Sequence, residues 1–453
     1  MTASARDLAL ATPPGRDRYV DLLRVASLGT VIGGHWLMAA VSGDGIGNLL
    51  ALVPGLQVLT WGLQVMPVFF FVGGFSHALS YRSLARRSDP AASVYATFLR
   101  ARLRRLLRPT LVFVLVWAAA ALAVQLAGHG GGRLTGAALR MVTQPLWFIG
   151  IYLAMVAFTP PLLKLHERHG WAGFAALAGS AALVDVLRFA FGVPYVEFLN
   201  FALVWLAVHQ LGFLRADGRI RRPALLAAAG LAGAVLLVAY GPYPLSMVGM
   251  PGEKVSNMAP PTLALLAHAM WLVGAVQLLA RPAAVWLERP RVWRGVVAAN
   301  GVAMTAFLWH LTAMLGVYGA QLALGVDLPA PAGAAWWAQV PVRILAASAL
   351  TAGFVALFRR FEAAPAAPAA PAEPHTPAAG GAGVGGLVAA LGITLCLLGI
   401  LGLSMTGLGG LLDGHSATLI AFPVTAPVAI GMALAGALLV ERSAPARSVR
   451  LGG

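Results

Sequence analysis

Long apolar stretches alternate with short polar segments along the whole chain. Each stretch is about 20 residues long, the length that a helix needs to cross the hydrocarbon core of a bilayer. The first is too long for the apolar region of a cleaved signal peptide, and more stretches follow it. The pattern therefore predicts an all-α fold, a polytopic membrane helix bundle with twelve spans: 20–42, 56–80, 106–127, 144–163, 172–190, 195–214, 224–241, 262–280, 296–319, 339–358, 384–407 and 418–440.

One polar interruption differs from the others because it is rich in Ala and Pro. It lies between the tenth and eleventh predicted spans, and such a composition forms a semi-rigid spacer rather than a packed core. We therefore predict a ten-span body at 16–360, a cytoplasmic linker at 361–386 and a two-span C-terminal appendix at 387–441. No internal repeat is visible, which argues against a transporter built from inverted repeats.

The composition agrees with a membrane protein. Of the 453 residues, 59% are hydrophobic and 11% are charged, whereas soluble domains carry about 25% charged residues. The mean hydropathy of +0.80 excludes a soluble globular domain and a disordered chain. The single cysteine, Cys396, cannot form an intrachain disulfide.

The net charge of +16 is explained by where the basic residues lie. Most of the 32 Lys and Arg residues fall in alternate loops, and the side of a membrane protein that is rich in Lys and Arg is the cytoplasmic side. We therefore predict a multi-pass protein of the plasma membrane with both termini in the cytoplasm. The charge is then a topology signal, and we expect no nucleic-acid partner. The exceptions are Arg133, Arg140 and Lys254 outside, and Arg24, Arg188 and Arg343 within spans.

Ionisable residues within the predicted spans are candidates for function because they are costly to place in a membrane. Asp185 and Arg188 are three residues apart and can pair with each other, which favours a structural role. Glu197 and His209 resemble groups that link helices by hydrogen bonds. The full set is Asp21, Arg24, His35, His77, Asp185, Arg188, Glu197, His209, His268, His310 and Arg343.

The first span carries the most informative pattern. Arg24 and His35 are eleven residues apart, which is close to three helical turns, so they share a face with an axial separation of about 16 Å. Asp21 lies one turn before Arg24 and can orient its guanidinium group. A lone intramembrane His is as often a polar link between helices as a reactive group. Its alignment with Arg24 favours a functional role for His35.

These residues resemble a motif of the acyltransferase 3 family. The family's first span carries Asp, then Arg three residues later, then His after ten further residues, and Asp21, Arg24 and His35 stand in that register. Its second span carries a Phe-Phe-x-x-Ser-Gly-Phe motif, which residues 69–75 resemble with Gly73 in place of the usual Ser.

Three later segments extend the resemblance, so that it covers the predicted ten-span body. The family's Arg-x-x-Arg motif followed by Pro is matched by Arg102, Arg105 and Pro109. Its Leu-Trp-aromatic segment is similar to the sequence around Trp147, and its late aromatic-His pair is similar to the sequence around His310. The predicted appendix lies outside the resemblance, and no role is assigned to it.

The resemblance implies a membrane O-acyltransferase that moves an acetyl or other short acyl group from acyl-CoA to a hydroxyl of a sugar or natural product. It implies that His35 is the general base, and a neutral imidazole suits that role. With Arg24 and Asp21 it would form the catalytic set. Arg102 and Arg105 would hold the phosphates of CoA, although such an Arg run also fits a topology signal that contacts lipid headgroups. Trp147 and His310 would line the substrate cavity, and His310 fits a helix-packing residue equally well.

The sequence also carries negative information and leaves two rival functions. It contains no Cys-x-x-Cys, His-Glu-x-x-His, Gly-Lys-Ser/Thr or Gly-x-Ser-x-Gly motif, so we expect no metal cofactor and no nucleotide hydrolysis. A transporter or exporter of a carbohydrate or secondary metabolite would also need many spans and a few buried polar residues. A scaffold that flips a lipid-linked substrate without catalysis is the third possibility. The expected partners are the lipid bilayer, the acyl-CoA donor and the acceptor.

Overall fold

The computed structural model describes residues 5–13, 15–42, 45–87, 93–128, 132–250, 253–362, 382–419 and 422–443. The first part of the chain forms α1 (Ala5–Leu10), α2 (Arg18–Met38), β1 (Ala39–Ser42), β2 (Gly45–Asn48), α3 (Leu49–Leu52), α4 (Thr60–Leu63), α5 (Met66–Arg87), α6 (Val94–Leu126), α7 (Arg133–Met141), α8 (Pro145–His169) and α9 (Trp171–Phe189).

The second part continues the helical pattern. It forms α10 (Asn200–Ala216), α11 (Pro223–Tyr240), α12 (Leu263–Leu278), α13 (Ala280–Leu287), α14 (Pro290–Asn300), α15 (Ala303–Ala323), α16 (Ala334–Phe358), α17 (Ala382–Thr406), β3 (Ser416–Leu419), β4 (Phe422–Thr425) and α18 (Ala426–Ser443). Short 3-10 helices occupy Pro54–Leu59, Val196–Leu199 and Arg359–Phe361. The predicted helical membrane fold is therefore confirmed.

The number of apolar helices is slightly smaller than the twelve predicted spans. Within the described residues, ten helical stretches are long and apolar enough to cross a membrane, and α12 with α13 counts as an eleventh if this pair, bent by 48°, is one span. The remaining prediction is the first span, which corresponds to α2. This helix has 21 residues, but Asp21, Arg24 and His35 make it less apolar than the others.

Several helix ends differ from the sequence prediction because short elements replace the predicted helical ends. The first span was predicted to continue to residue 42, but α2 ends at Met38 and the chain enters the antiparallel β1–β2 hairpin. The last span was predicted from residue 418, but β3 and β4 form a second hairpin there and α18 begins at Ala426. The predicted span 296–319 is divided between α14 and α15.

Small residues allow neighbouring helices to approach closely, as is common in membranes. A Cβ atom added to Gly230 would lie 2.3 Å from the backbone nitrogen of Trp271, where α11 meets α12. In the pair α17–α18, a Cβ atom added to Gly436 would lie 2.4 Å from the carbonyl oxygen of Gly392. Both helix pairs are therefore joined along glycine contacts that admit no side chain.

The described chain divides into two units. The first comprises Met1–Ala78 and Pro161–Leu357, and it contains α2 with the helices α9 to α15. The second comprises Leu79–Pro160 and Phe358–Gly453, and within it α17 and α18 both contact α6. The two C-terminal helices thus pack against part of the predicted ten-span body.

The predicted cytoplasmic linker lies mostly outside the described residues, which stop at residue 362 and resume at 382. Since α17 begins at Ala382, the last five residues of the segment predicted as linker, 382–386, are helical. The Ala/Pro-rich part between them stays a prediction.

Candidate active site

Helix α2 carries the candidate site. Its first turn is capped by Asp17, whose carboxylate accepts a hydrogen bond from the backbone N–H of Val20 at 3.1 Å. The helix packs against α13, α14 and α15 of the same unit. These contacts fix one side of α2 along its length, so the residues of the predicted motif have defined neighbours.

Asp21 and Arg24 form a connected polar group, as their spacing predicted. Asp21 is buried, and its carboxylate accepts hydrogen bonds from Nε of Arg16 at 2.6 Å and from Nη1 of Arg24 at 3.2 Å. Nη2 of Arg24 donates to the hydroxyl of Ser76 on α5 at 3.1 Å. The Arg24 side chain keeps 26% of its accessible surface. Its guanidinium group is therefore held in place on two sides and still open to a ligand.

His35 lies three turns further along α2 and contacts His310 on α15. Nδ1 of His35 is 2.7 Å from Nε2 of His310, and the two ring planes lie within 16° of each other. Near-parallel planes let an N–H and a lone pair, both of which lie in the plane of their rings, point at each other. The indole Nε1 of Trp36 also donates to the backbone carbonyl of His310 at 2.9 Å. Two hydrogen bonds thus join the helices at this level.

The partners of His310 determine where the protons lie. Nδ1 of His310 contacts the backbone carbonyl of Phe307, and a carbonyl only accepts hydrogen bonds, so this nitrogen carries a proton. In a neutral ring, Nε2 of His310 then holds a lone pair that accepts a hydrogen bond from the N–H at Nδ1 of His35. Nε2 of His35 is left as a lone pair with no hydrogen-bond partner among the described residues. His35 is partly exposed, whereas His310 is fully buried.

This arrangement has the geometry that an oriented general base requires. His310 fixes the tautomer of His35, and the free lone pair at Nε2 can accept a proton from a hydroxyl group. If His35 becomes charged, its bond to His310 becomes charge-assisted and stronger. The structure thus brings His310 into contact with the predicted base, and its role in the reaction stays a prediction. Sequence reasoning missed Trp36 and Ser76, because Trp36 contacts His310 on α15 and Ser76 contacts Arg24 on α2, and contacts between distant helices are not visible in the sequence.

The second-span motif lies at a close helix crossing. A Cβ atom added to Gly74 would lie 2.0 Å from the carbonyl oxygen of His209, and one added to Gly212 would lie 2.2 Å from the carbonyl oxygen of Phe71. Backbone thus meets backbone where α5 crosses α10. The two glycines bring α5, which carries Ser76, into this position.

The Arg run of α6 lies in the second unit and is divided between two helix faces. Arg100 and Arg104 are one turn apart, and their Nε atoms donate to the carboxylate of Glu441 on α18 at 3.2 and 2.6 Å. Arg102 and Arg105 point to another side of α6, because each is offset from that pair by roughly 100° or more. The guanidinium group of Arg102 lies 5.9 Å from the ring centre of Phe98, and Arg105 is exposed.

Trp147 is also in the second unit, near the start of α8. It is partly exposed, and its ring lies 6.4 Å from that of Phe148. The structure thus brings together Asp21 with Arg24 and His35 with His310. The predicted roles of Trp147, Arg102 and Arg105 stay predictions.

Asp185 and Arg188 do not form the ion pair that their spacing allows. The carboxylate of Asp185 instead accepts hydrogen bonds from Asn200 at 2.8 Å, from the hydroxyl of Tyr243 at 3.0 Å and from the backbone N–H of Leu263 at 2.7 Å. The guanidinium group of Arg188 lies over the ring of Phe189. Burial raises the pKa of the Tyr243 phenol, and the neighbouring Asp185 carboxylate raises it further. Asp185 thus joins α9 to Asn200, Tyr243 and Leu263 instead of pairing with Arg188, and its structural role stays a prediction.

Comparison with known proteins agrees with the motifs. A family model described as an acyltransferase domain matches residues 17–359, which is well over half of the chain. The match includes the whole of α2. Neither the curated proteins nor the solved structures contain a match to this chain. The match favours an enzyme over a transporter. The chain belongs to the acyltransferase 3 family and is a membrane-bound acyltransferase.

Proposed function

We propose that this enzyme transfers an acetyl or other short acyl group from acyl-CoA to a hydroxyl of a sugar or natural product, with His35 as the general base. The observation that carries this proposal is the hydrogen-bond chain from Phe307 through His310 to His35. It leaves a lone pair at Nε2 of His35 on a partly exposed ring. A neutral, oriented imidazole is well suited to remove a hydroxyl proton near neutral pH.

In the reaction, the acceptor oxygen attacks the carbonyl carbon of the thioester while its proton moves to Nε2 of His35. The tetrahedral intermediate collapses with cleavage of the carbon–sulfur bond, and the sulfur leaves as the thiol of CoA after it takes up a proton. His310 stabilises the positive charge that develops on His35. The products are the acylated acceptor and free CoA.

Arg24 is proposed to bind the acyl donor, and Asp21 to position it. The support is geometric: Asp21 and Ser76 hold the guanidinium group, and part of its surface stays exposed. A guanidinium group presents several N–H donors in a fixed plane, which suits a carbonyl or phosphate oxygen.

Arg102 and Arg105 are proposed to bind the phosphates of acyl-CoA, and Trp147 to line the substrate cavity with His310. Glu441 forms ion pairs with Arg100 and Arg104 on another side of α6. An exposed guanidinium group such as that of Arg105 attracts a polyanion. We further propose that the enzyme lies in the plasma membrane with both termini in the cytoplasm. In that topology, Arg102 and Arg105 face the cytoplasm.

The reaction is tested with the full chain, purified and reconstituted in lipid nanodiscs. Acetyl-CoA is supplied with a panel of sugars and glycosides, and release of the CoA thiol is followed with a thiol reagent. We expect release that depends on both the donor and a hydroxyl acceptor, and a KM for acetyl-CoA that rises at least about tenfold when Arg102 and Arg105 are both changed to Gln. Release that is independent of every acceptor, or a KM that the double variant leaves unchanged, contradicts these assignments.

A further inference from the structure

Arg215 contacts three other helices of the first unit close to the candidate site. It lies at the end of α10, and its side chain keeps 14% of its accessible surface. Its Nη2 donates to the carboxylate of Asp17 at 2.7 Å, and its Nη1 donates to the side-chain carbonyl of Gln277 on α12. Its guanidinium carbon lies 5.8 Å from the ring centre of Tyr19 on α2 and 5.3 Å from that of Phe75 on α5.

The position of Arg24 depends on two of these helices. Its guanidinium group is held by Asp21 on its own helix and by Ser76 on α5. Asp17 lies one turn before Asp21, and Phe75 directly precedes Ser76. The contacts described above therefore lie next to both residues that hold Arg24.

Asp17 connects the start of α2 to a second helix. One of its carboxylate oxygens caps α2 by accepting from the backbone N–H of Val20 at 3.1 Å, and the other accepts from Arg215. A hydrogen bond between a guanidinium group and a carboxylate is stronger than one between neutral groups. The hydroxyl of Tyr19 also donates to the backbone carbonyl of Val276 on α12. The start of α2 is thus tied to both α10 and α12.

Arg215 is less suited than Arg24 to contact a ligand itself. Two of its nitrogens have partners within the chain, and its Nε is buried without a hydrogen-bond partner among the described residues. Arg24 keeps 26% of its side-chain surface, about twice the fraction that Arg215 keeps. The contacts therefore favour ligand binding by Arg24 and a role for Arg215 in holding the helices around it.

We propose that Arg215 is a positioning residue of the donor site. By holding the start of α2 next to α5 and α12, it fixes the guanidinium group of Arg24 where the acyl donor binds. The inference rests on the proposed binding of the donor by Arg24 and adds a residue that acts through it. Misplacement of a group by about 1 Å can cost up to about 10²-fold. The histidine pair lies about 16 Å further along α2, so loss of Arg215 is expected to weaken donor binding and to leave the chemical step nearly unchanged.

Donor binding is measured directly, so the result does not depend on whether transfer occurs. The full chain in nanodiscs is titrated with acetyl-CoA in the absence of an acceptor, and isothermal titration calorimetry gives the Kd. We expect Arg215→Gln to raise the Kd at least about fivefold, while kcat at saturating acetyl-CoA stays within about twofold of the wild-type value. Arg215→Lys retains a charge for Asp17 and is expected to raise the Kd less. Arg221→Gln is the matched control, because Arg221 is exposed, and it should leave the Kd unchanged.

A second comparison separates the positioning of Arg24 from a general loss of stability. Arg24→Lys keeps the positive charge but loses the planar fork that reaches both Asp21 and Ser76. In this background, Arg215→Gln is expected to raise the Kd by no more than about twofold further, because residues that act as a unit are not additive. An equal effect in both backgrounds, or a Kd that Arg215→Gln leaves unchanged, would overturn the inference alone. A wild-type protein that binds no acetyl-CoA would contradict the proposed function itself, and this inference with it.

Discussion

At the scale of single residues, the candidate chemistry depends on the tautomer of His35. Its Nδ1 faces His310, and the carbonyl of Phe307 fixes the proton of His310. Without this chain, the imidazole of His35 could rotate or present an N–H instead of a lone pair to the acceptor. The partner histidine is therefore expected to matter for the rate and not for binding of the acyl donor.

This expectation is tested with His310→Asn, in which the amide is too short to reach His35. We predict that kcat falls at least about tenfold while KM for acetyl-CoA is unchanged, since general base catalysis contributes roughly 10²- to 10⁴-fold and misorientation removes part of it. The Trp36 bond to the backbone carbonyl of residue 310 is kept, so folding can be retained. A raised KM with normal kcat would instead make His310 a binding residue.

Residue spacing predicted that Arg24 and His35 share a face, because both lie on one helix and eleven residues are close to three helical turns. It could not predict the contact with His310, which is 275 residues away in the chain. The sequence offered His310 both as a cavity residue and as a packing residue. Only the approach of α15 to α2 shows that His310 contacts His35.

At the scale of helices, the crossing of α5 and α10 depends on glycine. A methyl group at Gly212 would lie 2.2 Å from a carbonyl oxygen and 2.5 Å from a backbone nitrogen, and neither can move without shifting its helix. We predict that Gly212→Ala destabilises the protein by about 1–3 kcal/mol. Thermal unfolding in detergent measures the change.

Gly29→Ala is the control for this helix crossing. An added Cβ atom at Gly29 meets nothing within 4 Å, and alanine is the better helix former. We expect an unchanged or slightly raised melting temperature. Equal losses in Gly29→Ala and Gly212→Ala would contradict the close approach of α5 and α10.

The contact of Glu441 with α6 gives a second prediction for helix packing. Since Glu441 keeps 37% of its side-chain surface, the two ion pairs contribute little, and Glu441→Gln is expected to reduce stability by about 1 kcal/mol or less. The KM for acetyl-CoA should not change, because Arg100 and Arg104 are assigned to packing. A KM shift as large as that of the Arg102/Arg105 double variant would place Arg100 and Arg104 in the donor site.

The sequence predicts which segments are helical far better than it predicts where each helix ends. Apolar runs of about 20 residues predict spans on length alone, and all twelve predicted spans correspond to helices. The β1–β2 hairpin and the bend between α12 and α13 depend on contacts between segments. Hydropathy does not report such contacts.

At the scale of the whole molecule, charge determines the expected orientation. The loop that contains Arg221 belongs to the side rich in basic residues, whereas Lys254 is one of few on the opposite side. Both side chains are exposed, and Cys396 is buried. Single cysteines can therefore be introduced at positions 221 and 254 in a Cys396→Ala background.

We predict that a membrane-impermeant maleimide labels Lys254→Cys in intact cells. Arg221→Cys should be labelled only after the cells are opened, because its loop faces the cytoplasm. The reverse pattern would invert the topology and would move the proposed binding of CoA by Arg102 and Arg105 to the outer side.

The central claim is that His35 removes the proton of the acceptor hydroxyl, and the rate of acceptor-dependent CoA release in His35→Ala tests it most directly. His268→Gln is the control, because His268 is a buried His whose Nε2 contacts the carbonyl of Trp61, and a glutamine amide can replace that bond. We predict that His35→Ala loses at least about 10²-fold in kcat with an unchanged melting temperature, while His268→Gln retains the activity. A His35→Ala protein that is folded and releases CoA at the wild-type rate would contradict the claim.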